Sequence, residues 1–315
     1  MSMKPAIELK TRVGGFFHVE KRKAESGLVT GQWDFHNNIT DTGLDLMANA
    51  NTFAYGIGYY ENGCTVGSGN VAPTNLDTAL VSPIASVGAT DGGDGGGTNT
   101  YVAGPPAYWK HVRTYQFGTG VAAGNIAEIG IYCTQVGTTR LFCRELVRDG
   151  SGNPTTITVQ ADEILIVTYE LRFYLDTSDF AGTINIGGVD YSYTQRLMDI
   201  NTPPSLNKLI KQNSDHNTVV LRAYSGDIGT ITTSPAGSSV SKGANINAYT
   251  TGTYFVDIDA TWGVSEVNYA GGIKAFSIIA PFHKYQLSFA ANPIMKVSGQ
   301  QMTVRFRLSW GRYAP

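Results

Sequence analysis

Charged side chains are scarce in this sequence: Asp, Glu, Lys and Arg together make up 15% of its 315 residues. The formal net charge at pH 7 is -2, and the only basic run, Lys21-Arg22-Lys23, is closely followed by Glu25. Proteins that hold nucleic acid through its phosphates usually carry a basic face or a long basic run. We therefore expect no nucleic-acid partner.

Long apolar runs are also missing. The longest ones, at residues 164–167 and at 276–282 with Ser277 inside it, fall far short of the about 20 residues that a membrane-spanning helix needs. Residues 1–23 contain no apolar core of the length that a signal peptide requires. We expect no membrane insertion and synthesis in a cytoplasm.

Cysteine is too rare, with 3 residues, to form a disulfide framework. Cys133 and Cys143 flank a predicted hairpin whose turn lies near Gly137. If the turn centres on Thr138, the two cysteines face each other and could form a disulfide outside the cell. The alternative interpretation is that both are small buried apolar side chains.

Catalytic and metal-binding motifs are absent from the sequence. The 5 histidines lie far apart, and no zinc-protease, serine-hydrolase or phosphate-loop motif occurs. Asp257 and Asp259 point the same way on a predicted strand, as a glycosidase pair would, but a solvent-facing strand explains them equally well. Asp91 and Asp94 lie in a glycine-rich loop with too few oxygen ligands for calcium. We expect no enzyme activity, cofactor or metal.

Glycine (37), tyrosine (17) and phenylalanine (13) are abundant instead, a composition that favours strands and turns. From Leu165 to Leu175 every odd position is apolar, and polar residues begin to alternate with them at Thr168. Residues 302–310 repeat this pattern. A period of two is typical of β-strands. The sequence therefore predicts an all-β fold of two tandem β-sandwich, jelly-roll-like domains.

Loop composition near residues 200–217 predicts a boundary between these domains. One short helix is expected after an N-cap at Thr40 or Thr42, and another at Pro203-Pro204-Ser205. The predicted divisions are an N-terminal arm with the first strand (1–31), a β-sandwich domain (32–200), a linker (201–217) and a second β-sandwich domain (218–315).

Aromatic side chains are the candidate binding residues. Tyr108, Trp109 and Trp262 could line a sugar-binding groove or a subunit interface, because both uses suit flat rings with a polar edge. Core packing is the alternative interpretation. Further candidates of the same kind are Trp33, Tyr59, Tyr60 and Trp310.

Several segments of the chain are similar to segments of a known class of proteins. They are residues 38–46 (NITDTGLDL), 73–80 (PTNLDTAL), 117–130 (FGTGVAAGNIAEIG) and 141–159 (LFCRELVRDGSGNPTTITV), with 262–273 and 306–310 near the end. In these segments the chain resembles structural proteins of tailed bacteriophages, which are described as tail, baseplate, collar or fibre components. The shared segments carry no catalytic residues.

The resemblance implies a non-enzymatic virion component that assembles in many copies with neighbouring virion proteins. We expect a homo-oligomer that assembles in the host cytoplasm and resides in the virion. One alternative is a receptor-binding module that recognises host-surface glycans through exposed Trp and Tyr. A second is a polysaccharide-degrading enzyme that uses Asp257.

Overall fold

A computed structural model describes residues 7–48, 62–91, 96–135, 138–186, 188–204, 206, 210 and 219–314. This part of the chain is almost entirely β, and its sheets form sandwich-like arrangements. The predicted all-β, sandwich-like fold is confirmed. None of the helices described here combines the length and the hydrophobicity needed to cross a membrane.

The described elements follow one another in this order: β1 (Ile7–Lys23), β2 (Val29–Ile39), α1 (Asp41–Leu46), β3 (Gly63–Gly67), β4 (Pro83–Gly88), β5 (Thr98–Val102), β6 (Ala107–Phe117), β7 (Gly124–Ile126), β8 (Glu128–Gln135), β9 (Thr138–Leu146), β10 (Ile157–Val159), β11 (Glu163–Leu175), β12 (Phe180–Ile186), β13 (Val189–Leu197), β14 (Val220–Tyr224), β15 (Ser239–Gly243), β16 (Asn245–Ile246), β17 (Phe255–Trp262), β18 (Ala275–Ala280), β19 (His283–Ser288) and β20 (Met302–Arg312).

The first strand, β1, is the spine of the molecule. Its first half, residues 7–13, pairs in parallel with β20, and residues 15–22 pair antiparallel with β2. Along its other side, residues 12–23 pair with β11. With 17 residues at roughly 3.3 Å each, β1 is about 55 Å long. One strand therefore connects the beginning, the middle and the end of the chain.

Two main sheets result from this pairing. The larger has 12 strands, in the order β16-β17-β20-β1-β2-β9-β8-β3-β4, with β11, β6 and β5 continuing from β1. The smaller has 6 strands, in the order β12-β13-β19-β18-β14-β15, and β7 and β10 form a separate ribbon. β11 and β20 are the two long strands that the alternating pattern predicts.

The predicted linker at 201–217 does not divide the sheets from one another. Strand β13 precedes it and pairs with β19, which follows it, and β1 pairs with β20 across the same point. The predicted second helix lies mostly outside the described residues. The first strand lies within residues 1–31, as predicted for the N-terminal segment. It is an interior strand of the larger sheet.

Aromatic rings fill the space between the sheets. Phe276, on the smaller sheet, packs against Trp262 and Phe306 of the larger sheet at ring-centroid distances of 5.5 and 6.0 Å. Phe282 stacks on Phe173 at 5.5 Å. All of these side chains are fully buried. This contact between flat rings holds the smaller sheet over β11, β17 and β20.

Helix α1 begins at the predicted N-cap. The Thr40 hydroxyl oxygen accepts a hydrogen bond from the Gly43 amide at 2.9 Å, and Asp41 lies in the first turn. The Trp310 indole donates to the Leu44 carbonyl at 2.9 Å. The helix is therefore fixed to the C-terminal strand as well as to its own cap.

Gly43 is required by the close approach of α1 to β9. A Cβ atom added at Gly43 would lie 2.1 Å from the Phe142 carbonyl oxygen. Moving that oxygen away would cost a hydrogen bond, because it accepts one from the Thr40 amide at 3.0 Å.

We expect Gly43→Ala to lower the free energy of unfolding by about 2 kcal/mol through this clash, although alanine is the better helix former. Urea denaturation measures the change. Gly150→Ala is the matched control, since nothing lies within 4 Å of its added Cβ. Equal stability of the two variants would contradict the packing described for α1.

Candidate interaction surfaces

The two predicted tryptophan sites lie in the core. Trp109 and Trp262 are 0% exposed, and their indole N–H groups donate to the Ile200 and Val240 carbonyls at 3.1 and 3.3 Å. The prediction that they form an accessible glycan or subunit surface is wrong. Both point from their strands toward the covered side of the larger sheet, and alternation alone cannot show which side is covered.

Tyr108, the third predicted aromatic, is half-buried on the opposite side of β6. Its ring lies 5.4 Å from the Tyr174 ring, and the Arg172 guanidinium lies 5.0 Å from its centroid. The ring is therefore one member of a packed surface cluster. Tyr59 and Tyr60 lie outside the described residues.

The two cysteines of the predicted hairpin do not face each other. Gln135 pairs with Thr138, so Cys133 lies opposite Arg140, and a bulge then places Cys143 opposite Ile131. Both are buried thiols. This register contradicts the predicted disulfide, which required a hairpin centred on Thr138. The alternative interpretation, that both cysteines are small buried side chains, fits the structure.

The paired carboxylates of β17 are engaged by neighbouring arginines. Asp257 accepts from the Arg307 Nε at 2.8 Å, and Asp259 accepts from the Arg305 Nε at 2.7 Å. Because β17 and β20 are adjacent antiparallel strands, these are cross-strand charge pairs. Their geometry is that of structural ion pairs on a half-buried strand.

The glycine-rich loop contributes one described carboxylate, Asp91. It accepts a hydrogen bond from the Thr114 amide at 2.9 Å and lies 3.3 Å from the Arg113 Nε. Asp94 lies outside the described residues. Within the described ranges, no group of three or more His, Cys, Asp or Glu side chains is arranged to hold a metal ion.

A buried carboxylate organises the loop between β3 and β4, residues 68–82. Glu128 is 0% exposed and accepts hydrogen bonds from the Gly69, Val81 and Ser82 amides at 3.1, 3.1 and 2.7 Å. Burial alone would raise the pKa of Glu128, but these bonds and Arg144 hold it below its ordinary value. The ionised carboxylate of Glu128 therefore holds both ends of the loop by hydrogen bonds.

Arg144 completes this arrangement. Its guanidinium, 1% exposed, donates to Glu128 at 2.8 Å, to Asp77 at 2.6 Å and to the Val71 carbonyl at 2.7 Å. A buried charge needs such a set of partners to offset its loss of hydration. We call Asp77, Glu128 and Arg144 the polar brace.

The polar brace joins the segments on which the phage resemblance rests. Asp77 belongs to 73–80, Glu128 to 117–130 and Arg144 to 141–159, while the Asp41 amide of the first segment donates to the Asn75 carbonyl at 2.7 Å. Sequence reasoning missed the brace. The one available signal was Glu128, the only charged residue of β8, because β9 carries Arg140 and Glu145 beside Arg144 and so does not single out Arg144.

The braced loop exposes several large apolar side chains among uncharged polar ones. Val71, Leu76 and Val81 are 57%, 78% and 53% exposed, and Ile84 at the start of β4 is 39% exposed. The only charged residue of the loop, Asp77, is held by Arg144. We call Val71, Leu76, Val81 and Ile84 the apolar loop surface. Exposed apolar surface that is contiguous marks interaction sites on proteins, so these side chains are the candidate contact residues of the loop.

A second charged cluster lies on the outer side of β1, β6 and β11. Glu170, 5% exposed, accepts from Lys110 at 2.5 Å and from Arg172 at 2.8 Å, and lies 3.4 Å from the His18 Nε2. Burial would raise the pKa of Glu170, but these three partners outweigh it and lower the pKa to about 2. Arg172 also lies 4.2 Å from the Phe16 ring centroid.

We expect Arg144→Met to lower the free energy of unfolding by about 3–5 kcal/mol, because it leaves Glu128 buried without its cation. Chemical denaturation measures the loss. Arg140→Met, on the same strand but outside the polar brace, should change stability by about 0.5 kcal/mol or less. Similar losses in the two variants would show that the brace does not stabilise the fold.

We expect the stabilisation by Glu170 to disappear in acid. Its pKa is about 2 when folded against an ordinary value of 4.5, so its contribution is present above pH 4.5 and is lost as the pH falls toward 2. Glu170→Gln should therefore be less stable than the parent by about 2–3 kcal/mol near pH 6, with the gap closing toward pH 2. Glu25→Gln is the matched control, because Glu25 is exposed, and it should change stability by about 0.5 kcal/mol or less. A stability difference between the parent and Glu170→Gln that does not change with pH would contradict this assignment.

Comparison with known protein families, with characterised proteins and with solved structures gives no match to this chain.

Proposed function

We propose that this protein is a non-enzymatic structural component of a tailed-bacteriophage virion, in the tail, baseplate or collar. It acts by assembling in multiple copies with neighbouring virion proteins. The observation that carries the proposal is the apolar loop surface, which the polar brace fixes in place and which includes Leu76 of the segment 73–80 that resembles phage proteins.

The brace makes the loop a good binding surface for a physical reason. A loop that is already ordered loses little conformational entropy when a partner binds. Hydrogen bonds hold it near both ends, at Gly69 and Ser82, and in its middle, at Val71, Asn75 and Asp77. Association can then use the burial of apolar surface without first ordering the chain.

The chemistry of the surface selects a protein partner. The exposed side chains are uncharged, so a partner need not remove water from an unpaired charge. The next strand, β4, is the last in the sheet order, lies largely exposed and carries no charged residue. Together they offer an apolar contact and a strand edge on one side of the molecule.

In this proposal the protein assembles in the host cytoplasm and remains in the particle. The aspartates considered for catalysis are occupied by cross-strand ion pairs. The braced segments use their charged groups to hold backbone, which supports a structural role for them.

We expect Leu76→Glu to reduce self-association, because it places a charge in the centre of the apolar loop surface. Light scattering on a sizing column measures the native mass over a range of concentrations. Leu28→Glu is the matched control: Leu28 is 64% exposed in the β1–β2 turn, away from the loop. Circular dichroism and melting should show both variants folded.

The control variant should keep the native mass of the parent protein. Equal self-association of both variants would contradict a role for the loop, and a parent protein that stays monomeric at all concentrations would contradict self-assembly.

A further inference from the structure

A cleft of about 430 Å³ lies where the two main sheets meet. β1, β20 and the residues after β11 form one side of it, and β12, β13 and β19 form the other. Its volume lies within the about 300–1,000 Å³ of small-molecule sites. It lies apart from the apolar loop surface and shares no residue with the polar brace.

An exposed aromatic ring borders the cleft. Phe180 is 57% exposed, and its ring lies 6.5 Å from the ring of Tyr193, which is 8% exposed. Tyr193 is held across Gly182, where an added Cβ would lie 2.5 Å from its ring. The cleft therefore offers an accessible apolar ring beside a second ring that is fixed in place.

The charges around the cleft are already compensated within the protein. Arg196 donates to Asp179 at 2.7 Å, and Arg307 donates to Asp257 at 2.8 Å. An anion would therefore have to compete with an existing carboxylate at either arginine.

The remaining cation in the cleft is also paired. Lys10 lies 3.3 Å from Glu8, so it too has a carboxylate partner. Asp176, a further carboxylate, lines the same space. This balance disfavours anionic ligands and suits a neutral one.

One acceptor atom at the cleft, the side-chain oxygen of Gln195, lacks a hydrogen-bond donor among the described residues. The side-chain oxygen of Gln195 is buried and accepts no hydrogen bond from the residues that the structure describes. A buried acceptor without a donor costs free energy that a ligand donor would recover. Glu8 and Asp176 add carboxylate acceptors around the same space.

We propose that this cleft binds a neutral saccharide. One C–H face of the sugar packs on Phe180, and a hydroxyl group donates to the Gln195 oxygen. Other hydroxyls meet Glu8 and Asp176. A neutral sugar combines an apolar face with many hydroxyl donors, which matches the exposed ring, the unsatisfied oxygen and the compensated charges. The proposal does not depend on the assembly proposed above.

Saturation-transfer NMR on the isolated full chain tests this site with glucose, galactose, N-acetylglucosamine and rhamnose at millimolar concentrations. We expect transfer to at least one of these sugars, strongest at the protons of one C–H face. Phe180→Ala should abolish it, and Gln195→Leu should weaken binding at least about tenfold. N-acetylneuraminic acid is the anionic comparison and should bind more weakly.

Val189→Ala is the matched control, because Val189 is 49% exposed at the start of β13 but does not line the cleft. It should bind like the parent, and the melting temperature should verify that every variant folds. Three results would each overturn the proposal: no transfer to any neutral sugar, undiminished transfer in Phe180→Ala, or preferred binding of the anionic sugar. None of them bears on self-association through the 68–82 loop.

Discussion

The fold depends on the pairing of β1 with strands from distant parts of the chain. β20 and β2 share one side of it and β11 occupies the other, so three stretches of sequence become neighbours in one sheet. The smaller sheet then packs through Phe276 and Phe282 onto rings of the larger one. The cleft between the sheets is lined by residues of β1 and β20 on one side and by residues of β12, β13 and β19 on the other.

The charged residues of this protein are few, and many serve to hold backbone or one another. Glu128 receives three amide hydrogen bonds, and Arg144 connects it to Asp77. Buried charges of this kind are costly unless every partner is present, so they define one geometry for the loop they hold. The consequence for function is a loop that combines a fixed backbone with several exposed apolar side chains.

Local patterns were sufficient to predict several elements. Alternation from Leu165 to Leu175 identified β11, and the hydroxyl of Thr40 identified the start of α1. Local patterns do not show which strands pair with each other. The pairing of β1 with β20 joins residues about 300 positions apart, and no local signal reports it. Alternation separates the two faces of the strand that carries Trp109, but only the packing of the second layer shows that its face is covered.

Register and assembled sites were unpredictable for the same reason. A shift of the hairpin centre and one bulge moved Cys143 away from Cys133. The cleft collects Glu8, Phe180 and Gln195 from separate strands, so no spacing in the sequence could reveal it.

We propose that this chain is a structural part of a phage particle, and quantitative mass spectrometry of purified infectious particles of that phage tests the proposal. We expect the chain at a fixed, multiple copy number relative to the major capsid protein. Its absence from infectious particles, or a trace amount that varies between preparations, would show that it is not a virion component.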